Sequence, residues 1–213
     1  MGKYRNGIMG AFSGKVGPVV GSSWNCKPYM RAYTNKVRNP RTLGQRMQRS
    51  RMGLAVKFVK PIRSVLNIGW SLYAVGMTPA NAATRHLLAN AISGDYPNYG
   101  ILPSGVLISC GSLTPAFEVE LGASDNYVLV KWTDNSGVGS ALGTDKCLVA
   151  VVNRSRGEAV CIPGGTARST GRQEVVVPAV WVNSNVDCYL GFVSEDGKDV
   201  ANSVYVGSIT IIG

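Results

Sequence analysis

Tyr127-Val-Leu-Val-Lys-Trp-Thr133, followed at once by Asp134-Asn-Ser-Gly137, decides how the C-terminal half of this chain folds. Val128, Val130 and Trp132 alternate with Leu129, Lys131 and Thr133, the period-two pattern of a strand with one buried face. The Asp-Asn-Ser-Gly run is turn chemistry, because short polar side chains bond their own backbone and glycine accepts left-handed geometry. Outward from this point the signature repeats. Candidate strands fall at 106–109, 117–121, 127–132, 147–153, 159–162, 173–178, 186–194 and 204–212, with further turns at Pro163-Gly-Gly165 and Glu195-Asp-Gly197. Short strands at this spacing predict an antiparallel β-sandwich of immunoglobulin or fibronectin III type over 106–213.

Upstream the pattern changes. Val16-Gly-Pro-Val-Val-Gly-Ser-Ser-Trp24 and Tyr29-Met-Arg-Ala-Tyr33 flank a turn around 25–28 and predict a Gly-rich β-hairpin. Pro18 suits an edge or an extended arm better than a central strand. Tyr29, Arg31 and Tyr33 share one face by alternation. So small a hairpin is not stable alone and calls for something to pack against. Asn39-Pro-Arg-Thr-Leu-Gly-Gln45 then opens a helix, with Thr42 and Gln45 in capping-box spacing. Leu43, Met47, Leu54, Phe58 and Val65 fall on a stripe roughly 60° wide. Arg41, Arg46, Arg49, Lys57, Lys60 and Arg63 lie mostly opposite it, and Pro61 should divide the helix. A second helix is expected from Thr78 and Pro79 to near Gly94. The expected organisation is a basic hairpin-and-helix module of α+β type over 1–95 and a β-sandwich over 106–213.

Charge follows the same division. Residues 1–100 hold fifteen Lys and Arg against one acid, Asp95, whereas residues 101–213 hold seven bases against eleven acids. The halves therefore carry +14 and −4, and the basic one should seek an anionic surface. No run approaches the roughly 20 apolar residues of a membrane helix. Glycines break up the apolar residues of 1–20, so the expectation is cytoplasmic synthesis without a signal peptide and no membrane insertion.

Motifs for enzyme chemistry fail on inspection. Gly10-Ala-Phe-Ser-Gly-Lys15 has one residue too few for a phosphate loop, and Val16 stands where a hydroxyl is needed. His86 lies among Arg85 and leucines without an orienting carboxylate nearby in sequence. Glu118 with Glu120, and Glu195 with Asp196 and Asp199, show no cleft for paired-carboxylate work. Asp134, Asn135 and Asp145 lack the ordered oxygen spacing of a calcium loop and read as turn formers. Cys26, Cys110, Cys147, Cys161 and Cys188 have no CxxC spacing, and Cys147 and Cys188 sit in apolar strands as buried free thiols. No catalytic residue, metal site or cofactor is expected.

Met1-Gly-Lys-Tyr-Arg-Asn-Gly7, Val20-Gly-Ser-Ser-Trp24, Trp132-Thr-Asp-Asn-Ser-Gly137 and Asn202-Ser-Val-Tyr-Val-Gly207 resemble a large, functionally uncharacterised family of Bacteroidetes proteins. Over residues 10–60 only, Ser13-Gly14, Trp24, Arg31, Asn39-Pro-Arg-Thr42, Gln45 and Arg49 are similar to an arrangement recurring in tailed-phage and prophage proteins encoded among virion genes. That second resemblance implies a structural or assembly role in a virion or phage-like particle.

The expected function is therefore a non-enzymatic assembly protein. Its arm, with Trp24, Tyr29, Arg31 and Tyr33, would anchor it to copies of itself or to other virion proteins, leaving the sandwich exposed. The alternative is a nucleic-acid-binding protein using the basic helix over 41–63, since Arg-rich helices contact phosphates and nearby aromatics stack on bases.

Overall fold

The computed structural model describes residues 2–4, 10–24, 27–36, 39–124 and 126–212. The chain divides into two compact units, Met1–Gln45 and Arg46–Gly213, so the stretch 96–105 lies inside the second.

The first unit is an antiparallel sheet in the order β1 (Lys3–Tyr4), β2 (Phe12–Val16), β3 (Val19–Trp24) and β4 (Lys27–Ala32). The expected hairpin is its β3–β4 pair, in register from Val19↔Ala32 to Trp24↔Lys27. Residues 25 and 26 of the expected turn lie outside the described residues. The expectation that the segment with Pro18 forms an edge is corrected here. Pro18 falls in the turn after Gly17, whose φ of +56° needs no Cβ to clash, and β3 begins beyond it as an inner strand. The hairpin's edge is β4, which tolerates Pro28 for the reason an edge can: among the described residues, one side of its backbone has no ladder to serve.

In the second unit, α1 (Leu43–Val59, its first three residues belonging to the first unit), α2 (Arg63–Gly69) and α3 (Pro79–Asn90) precede the strands. The break at 60–62 is where Pro61 removes a backbone donor. Thr78 caps α3, its Oγ1 accepting from the Asn81 amide at 3.3 Å, with Pro79 in the first helical position. A two-strand ladder of β5 (Ile92–Ser93) and β6 (Gly100–Ile101) follows.

Seven strands complete the unit: β7 (Phe117–Ser124), β8 (Tyr127–Thr133), β9 (Lys146–Asn153), β10 (Glu158–Ala167), β11 (Arg172–Val176), β12 (Asn185–Val193) and β13 (Val204–Thr210). They form two antiparallel sheets, β10-β9-β12-β13 and β11-β8-β7. Seven of the eight expected strands are present. The eighth, at 106–109, runs as irregular buried chain. Its backbone groups are taken elsewhere: Ser203 Oγ accepts from the Ile108 amide at 2.8 Å, the Trp70 indole donates to the Leu107 carbonyl at 3.2 Å, and the Cys110 amide donates to the Gly69 carbonyl at 2.9 Å. Helix α2 passes close there, and a Cβ on Gly69 would stand 2.8 Å from Ser109 Cα.

The two central strands of the four-stranded sheet, β9 and β12, are buried on both faces. Cys147, Val149 and Val151 of β9 pack with Val128, Val130 and Trp132 of β8 in one core, and Leu190 and Phe192 of β12 join them. The alternate residues Leu148, Ala150 and Val152 pack with Ala55, Phe58, Val65 and Leu66 of the helical layer. Each such Leu or Val, fully removed from water, contributes about 1.5–3 kcal/mol. The unit is thus three layers, helices on a four-stranded sheet on a three-stranded sheet.

Candidate functional site

The first unit carries its expected residues on a surface rather than in a core. Cross-strand partners share a face, as do residues two apart along a strand. Arg31 pairs with Val20, which pairs with Lys15; Tyr29 pairs with Ser22; Trp24 pairs with Lys27; and Lys3 pairs with Ser13. One face therefore presents Lys3, Lys15, Lys27 and Arg31 together with Trp24, Tyr29 and Tyr33. A direct contact confirms it: Lys15 Nζ lies 3.5 Å above the centre of the Tyr33 ring, a cation–π arrangement between β2 and the residue just after β4. Tyr33 is held by its amide, which donates to the Pro18 carbonyl at 2.7 Å.

The opposite face is apolar. It presents Phe12, Val16, Val19, Pro28, Met30 and Ala32, and the Phe12 ring lies over Gly21, where a Cβ would stand 2.7 Å from it. Met30 is 70 % exposed. Among the described residues of 2–45, none with an apolar side chain is buried; the one buried position is Gly21.

The expected basic helix face is present but divided. Arg41 belongs to the first unit; Arg46, Arg49 and Lys57 lie on α1, Lys60 in the connection and Arg63 at the start of α2, all exposed. The apolar stripe is buried only in its later part, Phe58 and Val65 fully, whereas Leu43 is 57 % exposed. One basic residue outside the expected set, Arg51, turns inward, Nη2 donating to the Leu88 carbonyl of α3 at 3.0 Å. The arm residues thus share the first unit with Arg41, and the other five expected basic residues belong to the second.

Several of the polar groups considered for chemistry are held in structural contacts, but Glu195, Asp196 and Asp199, expected to have no cleft, line a surface cavity together with Leu142 and Asp145. Asp145 and Asn135 do not form a cation loop: Asp145 Oδ2 accepts from Arg168 Nε at 3.0 Å, and Asn135 Oδ1 accepts from Arg168 Nη1 at 2.7 Å. Arg168 Nη2 donates to the Thr114 carbonyl at 2.9 Å. Asp134 forms the expected turn, its Oδ1 accepting from the Ser136 amide at 3.0 Å, and hydrogen bonds from Ser136 hold its carboxyl below the ordinary range. His86 packs with its ring 5.4 Å from that of Trp70, and burial lowers its pKa, favouring neutral imidazole. Cys147 and Cys188 are buried free thiols; burial raises both, Cys188 to about 12, with Asp187 adding to the shift there. Asp187 itself is paired with Arg154 and accepts from the Tyr205 hydroxyl at 3.0 Å. Among the described residues no cluster of three or more His, Cys, Asp or Glu could hold a metal ion. No described helix is long and apolar enough to cross a membrane.

Lys3 and Lys15 were not legible as site residues, because only the strand register brings them beside Tyr29 and Arg31, whereas Lys27 shares that face by alternation along β4. Arg168 gave no sequence signal either.

These features define a chain with a surface-rich N-terminal sheet and a layered β-rich body. Over residues 11–207 the sequence matches a family of unknown function, DUF6266, and the chain belongs to that family. No curated protein matches it.

Proposed function

We propose that this chain is a non-enzymatic assembly protein whose N-terminal sheet is completed by a neighbouring copy. The observation that carries this reading is the lack of any buried apolar side chain among the described residues of 2–45. A sheet needs a hydrophobic face covered to be stable. Phe12, Val16, Val19 and Met30 supply such a face, and the open backbone of β4 supplies an edge that can accept a further strand.

The Asn39-Pro-Arg-Thr42, Gln45 and Arg49 arrangement, similar to that of phage virion-associated proteins, supports a place in a virion or phage-derived particle. The body is then the exposed domain. Its strand orders, three strands as β7-β8-β11 facing four as β10-β9-β12-β13, support a fibronectin III-type sandwich with the helices added to its outer face. The internal pairing of Arg168, Asp145, Asp187 and Arg154 supports a body without catalytic machinery.

Sedimentation velocity tests the assembly. The full-length protein should form concentration-dependent oligomers, and Met30→Asp with Val16→Asp should return it to monomer with the melting transition of the body unchanged. A wild-type protein that stays monomeric at high concentration overturns the reading.

A further inference from the structure

We propose that the basic and aromatic face of the N-terminal sheet binds single-stranded nucleic acid. Along the edge strand, one face reads Lys27, Tyr29, Arg31 and then Tyr33, cation and ring in alternation. Side chains two residues apart on a strand stand about 6.6 Å apart, a step comparable to that of successive nucleotides in an extended strand. Lys15 and Lys3 widen the cationic track across β2 and β1.

Like charges gathered on one sheet face repel one another, and residues 1–94 contain no Asp or Glu to offset them. The face is therefore complementary to a polyanion. The rings specify which one. Trp24 and Tyr29 are 53 % and 47 % exposed, beside the cations. Carboxylates of an acidic polypeptide would use the lysines and leave these rings idle. Duplex DNA would do the same, because its bases are already stacked. An unpaired strand uses both, phosphates on the cations and bases on the ring faces. Tyr33 serves differently: its ring holds Lys15 Nζ in place. The proposal uses the face opposite to Met30 and does not depend on the oligomeric state.

Fluorescence anisotropy with the full-length protein tests it, using a labelled twenty-nucleotide oligo(dT) and a duplex of equal length. The oligo(dT) should bind at least about tenfold more tightly, with a log-affinity against log-salt slope of about −2 to −3, as three or four phosphate contacts at roughly 0.7 each require. Trp24→Ala and Tyr29→Ala should each weaken binding at least about fivefold with the slope unchanged, while Tyr29→Phe retains it. Lys15→Gln and Arg31→Gln should each reduce the slope by about 0.7. Absence of binding at about 50 mM salt, equal affinity for the duplex with no effect of the ring variants, or displacement by polyglutamate at matched charge would each overturn the proposal. So would a loss confined to Arg46→Gln and Arg49→Gln, which would put the contacts on the helix. Sedimentation of the same variants separates this from the assembly reading, since Trp24→Ala and Tyr29→Ala leave the apolar face intact.

Discussion

Arg168 Nε donates to Asp145 Oδ2 at 3.0 Å with both side chains fully buried, and the Arg168 guanidinium lies 3.8 Å from the centre of the Phe192 ring. The pair ties the loop after Asp134 to the 3-10 turn Arg168–Thr170 and to the core beneath β12. Removing one partner leaves a buried charge uncompensated, which costs about 3–5 kcal/mol. Arg168→Met should therefore lower the urea midpoint strongly. The double variant Arg168→Met with Asp145→Leu should recover much of the loss, because no lone charge remains; equal losses in single and double variants would count against the pair as described.

The middle sheet makes a second prediction. Leu148 faces the helices and Leu190 the three-stranded sheet, and both are wholly buried. Leu148→Ala and Leu190→Ala should each destabilise by about 2–5 kcal/mol in denaturant titration. A small effect at Leu148 would mean that the helices do not cover that face.

This two-sided burial was partly legible. Leu148-Val-Ala-Val-Val152 is a continuous apolar run, whereas Val128, Val130 and Trp132 alternate with exposed or half-buried residues. A continuous run is what a strand covered on both faces requires, so the third layer was written in β9 even though nothing local named the helices as the cover. The amphipathic stripe of Phe58 and Val65 was the other half of that contact. The segment 106–109 misled because its apolar pattern serves burial while its backbone bonds side chains and single carbonyls. The sheet face was legible only along β4; the lysines of β1 and β2 depend on pairing between strands that local periodicity does not fix.

His86 should give a pH-dependent signal. Burial lowers its pKa, so the folded state disfavours the protonated ring. Its contribution to stability is then present above the unfolded value of 6.5 and lost as pH falls through the lower folded value. Thermal melts between neutral and mildly acidic pH should show this loss, and His86→Phe should remove that part of it; an unchanged slope in the variant would refute the assignment.

Cys188 predicts the opposite limb. Its thiol is raised from 9.0 to about 12, so its contribution is intact below pH 9 and declines as pH rises from there to about 12. Cys188→Val should lessen the fall in denaturation midpoint between pH 8.5 and 10 relative to wild type, values chosen to bracket the unfolded thiol. The native thiol should also resist alkylation at the lower pH.

Gly69 offers a steric test. A methyl group there would meet Ser109 Cα at 2.8 Å, with backbone on the other side unable to swing away. Gly69→Ala should cost about 1–3 kcal/mol as overpacking, read as a lower melting temperature, despite the better helix propensity of alanine. A rise in melting temperature would show that the 106–110 segment yields.

The pairing of Gly21 with Met30 and of Val20 with Arg31 fixes which side of the N-terminal sheet is apolar and which is charged. Both sets come from the same short strands, so the sidedness is a property of alignment and not of composition. A slip of β4 by a single residue against β3 would send Tyr29 and Arg31 to the side of Phe12 and bring Met30 among the lysines. The protein would keep its net charge, its isoelectric point and its residue content while exchanging the chemistry that β4 turns to each side. Alignment of β4 with β3, rather than the identity of any one cation, is thus where the edge of this surface can be turned over at a stroke.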